Sequence, residues 1–295
     1  PLRALALDRR TGEELWNQEI APGFKQDDRS NLASPSPVTD GELVYFFYGT
    51  GDLVAFDFAG HRVWARNLQK DYGSFAFRFT FGSSPTLFDE QLFVQVLQRN
   101  VPVHGRGQKD GPNDSYLLAL APKTGQEIWK HIRPSEAHEE SREAYSTPIP
   151  FAHAGRREIL VIGGDCITGH SLKDGAEYWR WGSWNPDRIT HWRLVPSPVT
   201  GGDAVLACAP KGSPVFAVKA GSQGSLDDSG LAWTSAEREV SSDVGTPLFY
   251  QGRFYVVNGD KKNIARIDPT TGKAEWIGDL GTRVKIESSP TGADG

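Results

Sequence analysis

One unit recurs along the whole chain, and its first copy reads Leu7-Asp8-Arg9-Arg10-Thr11-Gly12-Glu13-Glu14-Leu15-Trp16. In each copy an apolar strand leads into a tight turn, and a second strand ends on tryptophan. An Asp in such a turn accepts hydrogen bonds from backbone N–H groups two residues on, and Gly adopts the positive φ that other residues resist. The unit therefore predicts a β-hairpin. Its six copies end at Trp16, Trp64, Trp129, Trp179, Trp233 and Trp276, the copy at Trp233 after a longer insert.

A second motif, a Ser or Thr followed by Pro, alternates with the hairpins. Proline fixes its own φ and pushes the preceding residue into the extended region, so the pair suits the head of a strand where no ladder donor is needed. The prolines recur at intervals of 43 to 63 residues, a period typical of propellers and solenoids. They are Pro37, Pro85, Pro148, Pro198, Pro247 and Pro290.

Residues 37–64 show the plan of one repeat. A short first strand turns at residues 39–42 into residues 43–48, which are apolar on both faces and so are expected to be covered on both. A third strand at 53–56 and a fourth ending at Trp64 complete four antiparallel strands. This is the blade of a β-propeller, so the predicted fold is all-β. Other second strands are predicted at 92–96, 159–162, 204–207 and 254–257. No long helix is predicted; residues 136–143 are expected to form at most one or two helical turns.

The unbroken period predicts a single propeller domain over residues 1–295, with about six repeats visible: five complete ones and partial ones at both ends. Methionine is absent, and the chain opens partway through a repeat. We therefore expect an excerpt of a ring with seven or eight blades, with Leu5, Leu7 and Ile286 exposed where further blades would pack.

Composition excludes several classes of function. The 295 residues carry a net charge of −5, and the basic residues are scattered, which argues against a nucleic-acid partner. No apolar run approaches the length needed to span a membrane. The seven histidines show no metal-ligand spacing, so no zinc site is predicted.

The hairpins resemble the PQQ-type (quinoprotein-like) β-propeller repeat family, whose motif runs Ala-x-Asp-x-x-x-Gly-x-x-x-Trp. The match is close at the hairpins ending in Trp16, Trp129 and Trp276 and weakest at Trp233. The resemblance implies that all six hairpin tryptophans dock between neighbouring blades as structural residues. It also implies a periplasmic or otherwise extracytoplasmic location.

Strand direction assigns the loops to two faces. The turns between first and second strands and between third and fourth strands share one face and are tight, whereas the remaining connections share the other. Long loops on one side of a rigid scaffold are where binding usually occurs, so we predict that this loop-rich face is the functional one. Its loops are residues 17–33, 65–82, 99–115, 130–145, 180–195 and 209–214.

Eight residues are candidates for contact with a ligand or partner. Trp184 and Trp192 stand in the aromatic connection after Trp179, which fits either a binding patch or a loop packed on its own aromatic rings. Lys211 lies in a turn shaped by Gly and Pro. Residues just before the Ser/Thr-Pro pairs are expected to rim the central channel. The full set is Arg78, Tyr145, Trp184, Trp192, Arg193, Lys211, Asp243 and Glu287.

The resemblance allows two functions. Dehydrogenases of this fold hold pyrroloquinoline quinone and calcium, and many carry a disulfide between adjacent cysteines. Here Cys166 and Cys208 are far apart; they form either a disulfide or two buried thiols, and we favour thiols. No catalytic, cofactor-binding or metal residue can be assigned. The sequence therefore favours a non-catalytic scaffold like the BamB-type members, without a cofactor, that binds a protein or other ligand through its loop-rich face. The alternative is a quinone- and calcium-dependent alcohol or sugar dehydrogenase.

The substitution Trp129→Ala should lower the free energy of unfolding by about 3–5 kcal/mol, the range for removing a buried aromatic side chain. Trp184→Ala should cost far less if its loop is a binding patch. Denaturant titration of both variants makes the comparison, and equal, large losses would indicate a loop packed on its own aromatic rings.

Overall fold

The computed structural model describes residues 1–25 and 31–294, and in that part the chain is all-β. It divides into two compact units, Pro1–Pro134 and Ser135–Gly295. Each unit contains three sheets. Of the predicted loop at 17–33, residues 17–21 belong to a strand, and residues 26–30 lie outside the described residues.

Unit 1 holds one hairpin and two four-stranded antiparallel sheets. The hairpin pairs β1 (Leu2–Leu7) with β2 (Glu14–Ala21). The first four-stranded sheet runs in chain order through β3 (Val38–Thr39), β4 (Leu43–Phe47), β5 (Asp52–Asp57) and β6 (Arg62–Asn67). A short helix α1 (Leu68–Tyr72) follows, and the next sheet contains β7 (Thr86–Phe88), β8 (Gln91–Val96), β9 (Tyr116–Leu120) and β10 (Glu127–Ile132).

Unit 2 repeats the four-stranded plan three times. Its first sheet contains β11 (Ile149–His153), β12 (Arg156–Gly163), β13 (Cys166–Ser171) and β14 (Glu177–Trp181). Its second contains β15 (Val199–Gly201), β16 (Ala204–Cys208), β17 (Val215–Lys219) and β19 (Leu231–Thr234), and β18 (Gly224–Ser225) joins β14 instead. The third contains β20 (Leu248–Tyr250), β21 (Arg253–Asn258), β22 (Asn263–Ile267) and β23 (Ala274–Asp279).

These sheets confirm the predicted four-stranded antiparallel blade and all the predicted second strands. The predicted helical stretch at 136–143 contains one 3₁₀ turn, Glu139–Arg142. Helix α1 was not predicted. Its local cause is Asn67, whose side chain accepts a hydrogen bond from the backbone N–H of Lys70 and so caps the first turn.

The predicted Asp turn is confirmed in the first and last hairpins. Asp8 accepts hydrogen bonds from the backbone N–H groups of Arg10 at 2.9 Å and Thr11 at 2.7 Å. Asp268 accepts in the same way from the residues two and three positions on, at 2.8 and 2.9 Å. Because these donors favour the ionised carboxylate, they hold the pKa of both side chains below the usual value, the bonds from Thr11 and Thr271 contributing most.

Every hairpin also bulges at the same place, one residue before its tryptophan. In the first hairpin Trp16 faces Ala6 while Glu14 faces Leu7, so Leu15 is the extra residue. The residue across from the tryptophan is small in the first five hairpins, which leaves room for the indole ring. The pairs are Trp16 with Ala6, Trp64 with Ala55, Trp129 with Ala119, Trp179 with Gly169, Trp233 with Ala217 and Trp276 with Arg266.

Three of the tryptophans contact the turn of the following repeat with one geometry. The indole N–H donates to a backbone carbonyl of that turn, and the ring lies so close to the turn's glycine that a Cβ atom there would overlap it. The glycine is therefore required by the approach of the ring as well as by its positive φ. The contacts join Trp16 to Phe58 O at 3.0 Å beside Gly60, Trp64 to Pro122 O at 2.6 Å beside Gly125, and Trp233 to Pro269 O at 2.7 Å beside Gly272.

Trp179 is fully buried but uses a partner in its own sheet. Its Nε1 donates to Glu158 Oε2 at 3.0 Å, and its ring lies over Gly169. The longer insert before Trp233 runs beside it, because β18 pairs in parallel with Trp179 and Arg180. A fifth strand thus lies along the edge of the sheet that corresponds to the one from which Trp16, Trp64 and Trp233 reach the next turn.

Trp276 departs from the expectation of a ring packed between sheets, since 42% of it is exposed. Two features explain the exposure. The facing residue is Arg266 rather than a small residue, and residues 280–294 form no strand that would cover the ring. Leu5 and Leu7 are exposed, as expected, whereas Ile286 is half-buried.

The Ser/Thr-Pro pairs form a ladder of hydrogen bonds between successive repeats. The backbone N–H of the residue before proline donates to the side-chain hydroxyl of the corresponding residue in the next repeat. Ser and Thr suit this position because a short hydroxyl side chain supplies that acceptor. The bonds run from Ser36 to Ser84 at 2.9 Å, from Thr147 to Ser197 at 2.9 Å, from Ser197 to Thr246 at 3.0 Å and from Thr246 to Ser289 at 3.0 Å.

The substitution Ser197→Ala should lower the free energy of unfolding by about 1–2 kcal/mol, because it leaves the partly buried N–H of Thr147 without its acceptor. Ser197→Thr is the matched control, since it keeps the hydroxyl. Urea titration of the two variants tests the ladder, and equal losses for both would contradict it.

Candidate functional site

Three turns assigned to the tight face lie together in unit 1. An open groove of about 770 Å³ is lined by a first-to-second turn (Asp40, Glu42), by the next such turn (Asp89, Glu90) and by the third-to-fourth turn at Lys123. The groove is acidic, but Asp40 is committed to its own turn, since it accepts from two backbone N–H groups and from a tyrosine hydroxyl.

The long connections of unit 1 meet at a different concavity, a cavity of about 190 Å³. Its lining comes from the loop between α1 and β7, from the turn between β4 and β5, and from the loop between β8 and β9. These are connections of the predicted loop-rich face. Its phenylalanines and Arg106 were not among the predicted site residues.

In unit 2, two predicted loops are joined by backbone pairing. Ala144 forms an isolated parallel bridge with Leu194, the N–H of Tyr145 donates to Leu194 O at 2.9 Å, and the N–H of Leu194 donates to Glu143 O at 3.1 Å. The hydroxyl of Ser141 accepts from the N–H of Trp192 at 2.8 Å. The loops at 130–145 and 180–195 are thus held in one conformation by their own main chains.

Three predicted residues lie together on this double loop. Tyr145 donates its hydroxyl to Glu143 Oε2 at 2.6 Å, and Arg193 Nη1 lies 3.6 Å from Glu140 Oε1. Tyr145, Trp192 and Arg193 are all half-buried. Both carboxylates are buried and already engaged, so the arrangement presents an ordered surface of mixed aromatic and cationic character.

Two further candidate residues, Lys211 and Asp243, pair with each other in the structure. Asp243 accepts from the backbone N–H of Lys211 at 3.0 Å, and the Nζ atom lies 3.5 Å from its other oxygen. Glu287 lies 3.6 Å from Lys285. The pKa of Lys285 is raised, mainly by a hydrogen bond to Asp260, with smaller contributions from Asp243 and Glu287. These residues form a network of alternating charge in which Asp243 is half-buried and the other members are exposed.

Two of the predicted residues lie elsewhere. Arg78 belongs to unit 1, where it is exposed and its guanidinium lies 5.6 Å from the ring centroid of Phe79. The prediction that Trp184 contacts a ligand or partner is wrong, because only 7% of this residue is exposed. Its ring packs on Trp181 and Phe216, with ring centroids 5.4 and 6.5 Å away. Its part of the loop is packed on its own aromatic rings, the second of the two alternatives left open by the sequence.

Asp165 is a buried carboxylate that the sequence did not single out. It lies in the turn between β12 and β13 with φ of 59°, and it accepts from Asn185 Nδ2 at 2.7 Å. Burial raises its pKa to about 6, and the hydrogen bond from Asn185 only partly opposes that effect. No motif marks such a residue, since its environment comes from a loop twenty residues away.

Both cysteines are free and buried, which agrees with the favoured alternative of two thiols. Cys166 Sγ lies 3.2 Å from Arg180 Nη1. Burial raises the pKa of Cys208 to about 12, so that thiol stays protonated at neutral pH. Among the described residues, no three His, Cys, Asp or Glu side chains are grouped as a metal site, and no helix is long and apolar enough to cross a membrane.

The repeated four-stranded sheets and their loop-rich face define an all-β repeat protein of the β-propeller class. A family model described as outer membrane protein assembly factor BamB matches residues 2–277. The chain belongs to this family of PQQ-like propeller proteins.

Individual relatives are more distant. BamB from Moraxella catarrhalis shares the fold with a TM-score of 0.57 at 13% identity, over 93% of this chain and 69% of that one. A quinohemoprotein alcohol dehydrogenase from Comamonas testosteroni aligns with a TM-score of 0.46 at 13% identity, over 98% of this chain and 65% of that one. A quinoprotein ethanol dehydrogenase from Pseudomonas putida is 23% identical over 281 residues, which are 93% of this chain. The chain spans 37% of the length of that dehydrogenase.

Asp165 should make stability depend on pH. Its folded pKa of about 6 lies above the unfolded value of 3.8, so the stability it contributes is full below pH 3.8 and is lost as the pH rises through 6. Asp165→Asn cannot ionise and can still accept from Asn185. The variant should therefore gain stability relative to the native protein between pH 4 and pH 7.

Denaturant titration at several pH values measures this difference. Asp187→Asn, which alters an exposed carboxylate in the loop that contributes Asn185, is the matched control. A difference between native protein and Asp165→Asn that stays constant with pH would contradict the assignment.

Proposed function

We propose that the chain is a non-catalytic scaffold that binds a protein partner or other ligand through its loop-rich face. The observation that carries this proposal is the double loop of unit 2, in which Tyr145, Trp192 and Arg193 are held by paired main chains. A preordered loop loses little conformational entropy on binding, and partly exposed aromatic and arginine side chains are favoured contacts at interfaces. The charged groups of the face pair with one another, which suits recognition better than proton transfer.

Family membership supports a finer statement. The matching family is described as an outer membrane protein assembly factor, so we infer a location outside the cytoplasm and a role in the assembly of outer membrane proteins. We also infer that the hairpin tryptophans serve as docking residues between repeats, a role supported by the shared contacts of Trp16, Trp64 and Trp233.

The experiment uses membranes from bacteria that lack their own BamB-family protein. An unfolded outer membrane β-barrel protein is added with and without this chain, and the folded fraction is measured. We expect the chain to raise the yield, and Trp192→Ala to require about tenfold more protein for the same effect, as for loss of one interface anchor. Lys173→Ala, which alters an exposed cation in a hairpin turn of the same unit, should match the native chain. No stimulation, or equal effects of the two substitutions, would reject the proposal.

A second candidate is a dehydrogenase dependent on pyrroloquinoline quinone and calcium, favoured by the 23% identity to the quinoprotein ethanol dehydrogenase. Calcium requires six to eight oxygen ligands, several of them carboxylates. Of the buried carboxylates on the described loops of unit 2, Glu143 is engaged by Tyr145 and Glu140 by Arg193, whereas Asp165 has one oxygen bound by Asn185 and one without a hydrogen-bond partner. One free carboxylate oxygen falls far short of six to eight ligands, and the described residues contain no cluster of three His, Cys, Asp or Glu side chains around it, so these residues do not fit such a site. Addition of quinone and calcium, followed by absorbance and dye reduction, tests this candidate, and alcohol-dependent dye reduction would favour it over the scaffold.

A further inference from the structure

The turn between β12 and β13 contacts both halves of the double loop in unit 2. Gly164 O in this turn accepts from the hydroxyl of Ser135, in the loop at 130–145, at 2.7 Å. The next residue, Asp165, accepts from Asn185 Nδ2, in the loop at 180–195, at 2.7 Å. One turn of the sheet is therefore an anchor for both loops.

A chain of hydrogen bonds runs from Asp165 to the main chain of Trp192. Asn185, which donates to Asp165, also donates to Ile189 O at 3.0 Å and accepts from the N–H of Ile189 at 2.9 Å. The same carbonyl accepts from the hydroxyl of Ser141 at 2.5 Å, and that hydroxyl accepts from the N–H of Trp192 at 2.8 Å. Because each bond positions the group that makes the next one, a displacement of Asp165 is transmitted to Trp192.

The carboxyl of Asp165 is the costly member of this chain when it is ionised. Only 4% of the residue is exposed, and among the described residues its Oδ1 atom has no hydrogen-bond partner. A carboxylate has acceptor sites on both oxygens, so ionisation in place leaves a buried charge that is solvated on one side only. The protonated carboxyl carries no charge, and its Oδ2 atom still accepts from Asn185.

The groups around this carboxyl only partly compensate for its burial. Burial raises the pKa of Asp165 to about 6. Four groups oppose the rise: the hydrogen bond from Asn185, the charges of Arg188 and His138, and the indole of Trp184. The guanidinium of Arg188 is also paired with Glu136, so it is shared between two carboxylates. The closed arrangement of the loops therefore favours a protonated Asp165.

We propose that Asp165 is the proton-sensitive positioning residue of the double loop: protonation of its carboxyl holds Trp192 in its ordered place, and ionisation favours opening of the loop. This inference rests on the proposed function, because the double loop is the surface assigned there to partner binding. It adds a regulation to that surface, which is most ordered in acid. Because a preordered surface loses less conformational entropy on binding, the surface is best prepared for a partner at low pH.

The sign follows from the two pKa values. In the closed loop the pKa of Asp165 is about 6, above the ordinary value of 3.8 that applies once the carboxyl reaches water. Closing of the loop therefore takes up a proton between these values. The stabilisation of the closed loop is full below pH 3.8 and is lost as the pH rises through 6. Between pH 5 and pH 7.5 the equilibrium for closing should weaken by about tenfold.

Hydrogen exchange of the whole native chain, followed by NMR, measures this opening at single N–H groups. The N–H groups of Ile189 and Trp192 report on the chain of hydrogen bonds. After correction for intrinsic exchange rates, their protection should fall by about tenfold from pH 5 to pH 7.5. Asp165→Asn stays neutral and can still accept from Asn185, so its protection should be the same at both pH values.

Two control variants separate Asp165 from its neighbours. Asp187→Asn alters an exposed carboxylate in the loop that contributes Asn185, and His138→Gln removes the titratable ring that acts on Asp165. Both should keep the pH dependence of the native chain. The proposal is overturned if the native chain shows equal protection at both pH values, if Asp165→Asn keeps the dependence, or if either control loses it.

Low concentrations of urea distinguish a loop anchor from a residue that only stabilises the whole fold. Opening of the loop exposes little surface, so exchange at Ile189 and Trp192 should not change with urea, whereas exchange through global unfolding accelerates with the surface exposed. Exchange at these two N–H groups that rises with urea would overturn the positioning role.

The experiment separates this inference from the proposed function. If protection is independent of pH while Trp192→Ala still impairs outer membrane protein assembly, the proton-sensitive anchor alone is lost. If protection follows pH as expected but the chain does not stimulate assembly, the proposed function is lost and the anchor remains.

Discussion

The contact between a closing tryptophan and the next repeat's turn is the constraint on which most of the sequence pattern depends. Its ring needs a small residue across the hairpin, a bulge that turns it out of the ladder, and a glycine where it lands. Burial of an aromatic side chain of this size contributes about 2–3 kcal/mol, and the indole N–H adds a hydrogen bond to the turn. This one contact thus explains the small residue, the bulge and the glycine of the motif, three features that the residue spacing alone does not connect.

The hydroxyl ladder complements that contact at the other end of each repeat. The tryptophan joins a fourth strand to the following hairpin turn, whereas the ladder joins the heads of the first strands, as from Thr147 to Ser197 and from Ser197 to Thr246. Two different bonds therefore hold successive repeats at opposite margins of their sheets. Because both use main-chain partners, the other residues of the loops are free to vary, which is the usual division between a repeat scaffold and its binding surface.

The loops use that freedom in different ways. In unit 2 they pair with one another and bury Trp184, leaving Trp192 half-buried. In unit 1 they meet at a cavity that several phenylalanine rings line in part. The insert before Trp233 adds a strand to a neighbouring sheet instead. Each of these loop arrangements satisfies its main-chain hydrogen bonds locally. Each also presents a surface with different side chains.

The sequence by itself determined the features that recur in every repeat, namely the hairpin turns and the pairing of neighbouring strands. Asp8 and Asp268 form their turns with the residues beside them, and the apolar strands from Leu43–Phe47 to Arg253–Asn258 pair with their chain neighbours, so periodicity predicted the blades. Features that occur only once in the chain could not be predicted from periodicity. The burial of Trp184, the raised pKa of Asp165 and the insert along Trp179 depend on partners that no repeat position fixes. Only the tertiary structure decided them, because burial and hydrogen-bond satisfaction are properties of what surrounds a side chain, and those surroundings come from segments distant in the chain.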